Sequence, residues 1–458
     1  MFTFLKRGSQ ILMKSEYRNA FLFGTNILRK YSLNNLNKVP FTMKIDTPEF
    51  RGIFSPGLQT LLDIFERHKY EIRVAGGAVR DILLGKHPKD VDFATTATPD
   101  QMKEMFTEED IRMLNMKGEK HGTITARIDN ENFEVTTLRI DVTTDGRHAE
   151  VMFTTDWELD ANRRDLTINS MFLGVDGTLY DYFGGYEDLK NRRVLFVGNA
   201  KKRIQEDYLR ILRYFRFFAR ITEKPDFHDE DTIVAIKDNV EGLGRISGER
   251  IWQELSKICS GNYVGSIIQK IVEVGAAPYI GLPKDPNINE LKCVWERGKN
   301  LNMHPLTVLV SLLNSEQEMM TFHARCKFST FERELGLFII KHRNNDCKSD
   351  NPLRPYQNLV FKTDGKLSDT RAHIIELLKY KADLALLHEF KTWEPPKFPL
   401  NGNLLKEHGV PAGKPIGRVM KELKLHWIET DFKMNQDELI ELLPKVMEEL
   451  NIKTQSMN

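Results

Sequence analysis

Asp90 and Asp92 stand two residues apart in Asp90-Val91-Asp92-Phe93. On a strand, residues i and i+2 share a face, so the two carboxylates would lie side by side. Paired anions repel, and a divalent cation is their natural partner. Mg²⁺ held there could orient or deprotonate a hydroxyl and neutralise a departing phosphate. A bare Asp-x-Asp equally suits a solvated strand face. Just upstream, Gly76-Gly77 joins Ile72-Arg73-Val74-Ala75 to a helical stretch through Leu84. Paired glycines let backbone approach phosphate oxygens, and a helix start offers N–H donors. Glu134, in Phe133-Glu134-Val135-Thr136, faces the opposite way from its apolar neighbours. It reads either as a third acid of the site or as a surface glutamate.

Two arginine groups follow. In Arg163-Arg164-Asp165 the guanidinium forks suit bidentate phosphate binding. Asp165 would hold one fork or fix a loop, and alone the triplet is also a common surface ion-pair cluster. In Glu206-Asp207-Tyr208-Leu209-Arg210-Ile211-Leu212-Arg213-Tyr214-Phe215-Arg216, an unbroken helix would put Asp207, Arg210 and Arg213 on roughly a third of its circumference. An Asp/Arg pair accepts and donates, so it can match the edge of a nucleobase. The same spacing fits an amphipathic helix with i,i+3 ion pairs.

The elements that must carry these residues change character along the chain. Ile72–Ala75, Asp90–Phe93, Thr123–Ile128 and Phe133–Ile140 read as strands, with a helix from Pro99 through Phe106. From Asn199 strand signals fade. Ala200–Ile221 reads as one long helix and Ser247–Cys259 as another, and helical periodicity continues to the end between proline-containing loops. The expected architecture is α+β: a mixed sheet with helices, then an all-helical remainder.

With 458 residues, 41% hydrophobic and 29% charged, the chain suits a multi-domain globular protein. Its formal charge of +1 neither requires nor excludes nucleic acid, since a local basic face decides that. Cys259, Cys293, Cys326 and Cys347 form no CxxC pair, which argues against a zinc site or a disulfide framework. No apolar run suits a bilayer span. Residues 1–42 carry Lys6, Arg7, Lys14, Arg18, Arg29, Lys30 and Lys38 against one acid, Glu16, as a mitochondrial transit peptide does. A disordered basic arm is the other reading. Starts at Met13 or Met43 would yield a cytosolic or nuclear pool beside the matrix one.

Strand, glycine pair, helix and then Asp-x-Asp on the next strand is the fingerprint of polymerase-β-like nucleotidyltransferases. Further segments are Ala75–Asp81, Asp90–Thr95, Gly118–Thr123, Asp145–His148, Arg163–Asn169, Asp181–Leu189 and Glu206–Arg210. Together, over about Met43 to Ile221, they resemble the class II tRNA nucleotidyltransferases, the CCA-adding enzymes, of the eukaryotic mitochondrial and cytosolic type.

The resemblance implies a polymerase-β-like head over residues 43–196, then a helical neck (197–275), body (276–345) and tail (346–458). It implies template-independent addition of C, C and A from CTP and ATP to the 3′ end of tRNA, with pyrophosphate released. Asp90 and Asp92 would bind two Mg²⁺ ions, with Glu134 the third catalytic carboxylate. Gly76, Gly77 and Arg80 would contact the incoming nucleotide, and Arg163 and Arg164 its triphosphate. Asp207 and Arg210 would read the base edge, and Arg213 and Arg216 would support the nucleotide. Asp141–Glu150 matches a mobile loop used in the switch to A. The helical half would grip the acceptor and TΨC arms of tRNA.

The alternative within the superfamily is a poly(A) polymerase. Its usual Gly-Arg-Arg-Phe-Arg-like run is missing, and Met116–Thr123 takes that place. A catalytically dead RNA-binding protein is disfavoured because the metal carboxylates and the Arg-Arg-Asp triplet are both present. His228-Asp229 is the one His-Asp pair, in a loop-like stretch, so an appended phosphohydrolase is not expected.

Overall fold

The computed structural model describes residues 39–114, 116–144, 149–345, 351–363 and 365–453. The expected leader up to residue 38, Met13, Cys347 and residues 145–148 of the expected mobile loop lie outside the described residues.

The strands are β1 (Phe41–Lys44), β2 (Ile72–Ala75), β3 (Asp92–Thr95), β4 (Arg112–Leu114), β5 (Thr123–Ile128), β6 (Glu131–Thr137), β7 (Arg139–Thr144), β8 (Ala149–Phe153), β9 (Phe172–Gly174) and β10 (Thr178–Asp181). Eight make one sheet in the order β1-β10-β9-β2-β3-β6-β5-β4, and β7 pairs with β8 separately. Within the large sheet β3 runs parallel to β6 and every other pair is antiparallel. The sheet is therefore mixed, as expected.

Period-two alternation separates its faces. Ile124, Ala126, Ile128, Phe133 and Val135 are buried on one side. Helices Pro56–Arg67 and Pro99–Glu108 pack on β5, and their Phe65 and Phe106 rings meet edge-on at 6.0 Å. Each begins with a proline behind a hydroxyl cap, Ser55 or Thr98, which accepts the N–H of Leu58 or Gln101. The other face carries Arg73, Ala75, Asp92, Ala94, Glu134 and Phe172, and there the chemistry assembles.

Three elements differ from expectation. Strand β3 opens at Asp92, so Asp90 lies in the bend before it rather than on the strand. The single strand expected over Phe133–Ile140 divides at buried Leu138. Its N–H bonds to Thr95 O at 2.9 Å and its carbonyl accepts from Thr154 N at 2.9 Å. The chain there leaves the large sheet for the β7–β8 hairpin. The long helix breaks at Asp207 into Ala200–Glu206 and Arg210–Ile221. At the break the Asp207 carboxylate accepts Leu209 N–H at 3.1 Å and its carbonyl accepts Arg210 N–H at 2.9 Å, a local turn that competes with the helix ladder.

At the N-terminal side β1 pairs Phe41 with Asp181 and Thr42 with Tyr180, and Phe41 stacks on Tyr186 at 5.7 Å. The last two residues of the expected leader thus belong to the sheet.

The chain divides into two compact units. Among the described residues, one comprises 39–210, 221–223 and 229–232, the other 211–220, 224–228 and 233–453. Among the described residues no strand follows β10, so the second unit is helical. Its C-terminal core gathers Ile374, Leu377, Phe390, Val419, Leu423 and Trp427. Earlier in the same unit Arg325 donates to the carbonyls of Tyr279, Leu243 and Ile246 at 2.8–2.9 Å, tying three segments together.

In the first unit, Asp181 accepts three backbone N–H groups, from Phe183, Gly185 and Tyr186, and shapes the turn into helix Gly185–Lys190. A Cβ on Gly185 would stand 2.2 Å from Thr167 O, inside the segment that follows the Arg-Arg-Asp triplet. Gly185→Ala should therefore cost about 2 kcal/mol by overpacking, read as a thermal midpoint a few degrees lower.

Candidate active site

The site is built where β2 ends. Gly76 sits at φ 63° and ψ −114°, a conformation open only to glycine, and turns the chain from Ala75 into helix Gly77–Leu83. A side chain would also collide, because a Cβ there would lie 2.8 Å from Arg164 Nη1. The glycine therefore serves two needs, a backbone turn and room for a guanidinium. Gly77 opens the helix, and its missing Cβ leaves 3.7 Å to Arg80 Nη2.

Antiparallel pairing of Val74 with Phe93 brings the start of β3 beside this turn. Parallel pairing then sets Asp92 directly opposite Glu134. The Asp92 carboxyl is held above the usual aspartate range. Crowding out of water is the first cause, although part of the side chain meets solvent. Repulsion from Glu134 and then Asp90 follows, opposed by Arg164. The repulsion acts whether or not water reaches the group, and it shows that three carboxylates and one guanidinium share a neighbourhood. Asp90 joins them from the bend, not from the strand.

Among the described residues no three His, Cys, Asp or Glu side chains are already gathered into a metal-binding set. The donor chemistry nevertheless fits a hard divalent cation, with oxygen ligands only and mutual repulsion for a cation to relieve. Asp90, Asp92 and Glu134 are the residues that would hold it.

The arginines are fixed by a residue that sequence reasoning passed over. Asp160, 1% exposed, accepts from Arg163 Nε at 2.8 Å and from Arg164 Nε and Nη2 at 3.2 and 3.1 Å. It also accepts Arg139 N–H at 3.1 Å. Burial alone would raise its pKa, but Arg163, Arg164 and that N–H hold it below the usual range, so it carries charge. Asp160 lies three and four residues before the arginines, on helix Trp157–Asn162. That spacing was the available signal. Of the two roles expected for Asp165, its position accords with fixing a loop, and its charge also acts on Arg164. Asp165 is buried in the following turn, where its carbonyl accepts Val197 N–H at 3.0 Å and its carboxylate faces Asn169 Nδ2 at 3.5 Å.

Asn169 is a second missed residue. Its side-chain oxygen accepts Arg80 Nη1 at 2.5 Å and its carbonyl accepts Arg164 Nη1 at 3.2 Å. Arg80, oriented further by Asp81 at 2.8 Å, and Arg164 are thus held by one asparagine beside Gly76.

Arg210 belongs to the same unit. Its Nη2 donates to Arg163 O at 2.9 Å, and its Nη1 donates to Arg203 O at 2.9 Å and to Glu206 at 2.7 Å. Asp207 lies in the helix break, so it does not share a helical face with Arg210 as expected. In the other unit, Arg213 lies over Phe217 at 5.7 Å, and buried Arg216 pairs with Glu254 at 3.0 Å.

Comparison with known proteins shows the family of the chain. Residues 72–195 match the family described as "Poly A polymerase head domain", and residues 228–284 match "Probable RNA and SrmB- binding site of polymerase A". The chain is 53% identical over 413 residues to the mouse "CCA tRNA nucleotidyltransferase 1, mitochondrial", covering 90% of this chain and 95% of that one. The human protein of that name is 52% identical over 408 residues, covering 88% and 94%. The chain belongs to the CCA tRNA nucleotidyltransferase family. It is thereby an enzyme of a metal-dependent nucleotidyltransferase class. The CCA-adding enzyme of Bacillus stearothermophilus, solved with CTP, shares the fold at TM-score 0.67 and 23% identity, over 89% of this chain and 99% of that one. The Thermotoga maritima enzyme, solved with tRNA, does so at TM-score 0.60 and 20% identity, over 89% and 99%.

In a CCA tRNA nucleotidyltransferase head the strained charge at Asp92 has a measurable consequence. A carboxyl whose folded pKa lies above its unfolded one weakens the fold at pH above the folded pKa, and not at pH below the unfolded one. Asp92→Asn should therefore abolish nucleotide addition while raising the thermal midpoint of the metal-free protein at pH 7. The gain should fade as pH falls through the raised pKa. A thermal series in chelator across pH 4–8 reads both limbs.

Proposed function

We propose that the chain adds C, C and A in turn to the 3′ end of tRNA, using CTP and ATP, with side chains in place of a nucleic-acid template. One observation carries the reading. Asp92 feels the charges of Glu134, Asp90 and Arg164, Arg164 lies against the Gly76 turn, and Arg210 is tied to that fork's segment by a hydrogen bond to Arg163.

Asp90 and Asp92, with Glu134 as the third carboxylate, would hold two Mg²⁺ ions, which would supply activation of the attacking hydroxyl and charge neutralisation at the phosphates. Gly76 and Gly77 let the backbone meet the triphosphate. Arg80, Arg163 and Arg164 bind its oxygens and stabilise charge that spreads as the 3′-hydroxyl attacks the α-phosphorus and pyrophosphate leaves in line. Asp207 and Arg210 meet the Watson–Crick edge of the incoming base. Arg213 and Arg216 brace the helix that Arg210 begins, Arg216 through Glu254. Positioning and electrostatics perform the chemistry.

The helical unit, including the stretch matched to an RNA-binding family, grips the acceptor and TΨC arms, with neck, body and tail over 197–275, 276–345 and 346–458. Among the described residues no helix is long and apolar enough to cross a membrane. The basic leader and the mitochondrial names of the relatives support action in the mitochondrial matrix, with a second pool from downstream starts.

Incubating tRNA that ends before CCA with each nucleotide tests the reading. Two additions with CTP alone and three with both nucleotides are expected, and Asp90→Ala should remove all of them. A long A tail would instead favour the poly(A) polymerase reading, for which the family description of residues 72–195 speaks. Arg210→Ala should lower discrimination between C and A by about tenfold, with a smaller change in nucleotide KM. Unaltered base choice would remove Arg210 from that role.

A further inference from the structure

Asp160 does more than neutralise. Its carboxylate is almost wholly enclosed and is shared by two guanidinium forks and one backbone N–H. The Arg139 guanidinium is also close enough to feel both Arg163 and Arg164, and burial with that repulsion pushes its pKa down to about 10. One buried anion therefore sits among three cations, with Asp141 3.7 Å from Arg139 and Asp165 also acting on Arg164.

The residues it fixes also hold the base-reading side chain. Arg163 O accepts Arg210 Nη2 at 2.9 Å. Asn162 O accepts Arg203 Nη1 at 2.5 Å, and Arg203 O in turn accepts Arg210 Nη1 at 2.9 Å. The Asp160 carboxylate of helix Trp157–Asn162 thus orients the two arginines that follow the helix, and the backbone carbonyls of Asn162 and Arg163 at its end hold Arg203 and Arg210.

We infer that Asp160 is a positioning residue that makes triphosphate grip and base choice one mechanical unit. The inference rests on the reading above, in which Arg164 binds phosphate and Arg210 reads the base. Physically, an asparagine there would keep one acceptor but turn an NH₂ toward guanidinium N–H groups, donor against donor. The forks would leave their orientation, and the Arg163 carbonyl that holds Arg210 would shift with them. A residue that only stabilised its helix would lower the melting point and leave nucleotide affinity and base choice alone.

The test uses the full chain, with CTP and ATP titrated on tRNA lacking CCA and on tRNA lacking only A. For Asp160→Asn the nucleotide KM should rise about tenfold, the loss of a charged hydrogen bond. C-versus-A discrimination should fall severalfold and kcat should fall with it, because the same forks meet the charge that spreads in the transition state, while tRNA KM stays within about threefold of wild type. Asp160→Glu, which keeps the charge on a longer arm, should lie between. If Asp160→Asn does not fold, Asp160→Glu decides: a raised nucleotide KM supports the inference, and wild-type KM and discrimination overturn it. In folded Asp160→Asn, wild-type nucleotide KM and discrimination overturn it, as does a loss confined to kcat. Arg164→Ala run in parallel separates the two levels. Raised KM there with wild-type behaviour in Asp160→Asn sinks this inference alone, whereas unchanged KM in Arg164→Ala removes the phosphate reading beneath it.

Discussion

Guanidinium groups gathered in a small volume repel one another, at a cost on the order of 4 kcal/mol for unit charges 4 Å apart at an effective dielectric near 20. The enclosed Asp160 carboxylate offsets that cost for Arg163 and Arg164 and lets Arg164 stand beside the Gly76 turn. On the neighbouring strands the imbalance has the opposite sign, since Asp92 is crowded by Glu134 and Asp90. Arg164 touches both accounts of charge, bonded to Asp160 and damping Asp92. A surplus of cations beside a surplus of anions matches a metal–nucleotide complex, whose phosphates seek the first and whose metal seeks the second.

Much of this was legible in the chain of letters because it rests on short-range rules. The glycine pair after a strand, the alternation around Glu134 and the proline-led helix at Pro99 each follow from local backbone preference. The loop-bound position of Asp90 was not legible, because alternation continues into the bend and only pairing with β6 fixes where β3 begins. The division at Leu138 was hidden likewise, since β-branched Val135, Thr136, Thr137 and Ile140 flank it on both sides while tertiary pairing redirects the chain to β8. Asp207 combined a helix-compatible pattern with a side chain able to cap its own turn, and the cap prevailed.

Asp160 and Asn169 were missed for a different reason. Sequence motifs mark residues able to meet substrate, and these two meet other residues instead. Supporting shells are written in spacing relations such as i,i+3 and i,i+4, which are common enough on any helix to pass unnoticed. The helical unit poses the converse difficulty. Its caps and apolar periodicity specify helices well, but the same features serve a scaffold and a ligand-bearing surface alike, so no individual RNA contact follows from them.

The outermost strand has a consequence for maturation. Phe41 and Thr42 are stitched to Asp181 and Tyr180, and the Phe41 ring lies flat on Tyr186. A peptidase that trimmed the leader back to Met43, or a ribosome that began there, would unzip half of that strand. It would also bare the aromatic face of the turn that Asp181 organises. An N-terminus placed before Phe41 keeps all four pairs of this edge strand, whereas one at Met43 keeps only those of Met43 and Lys44.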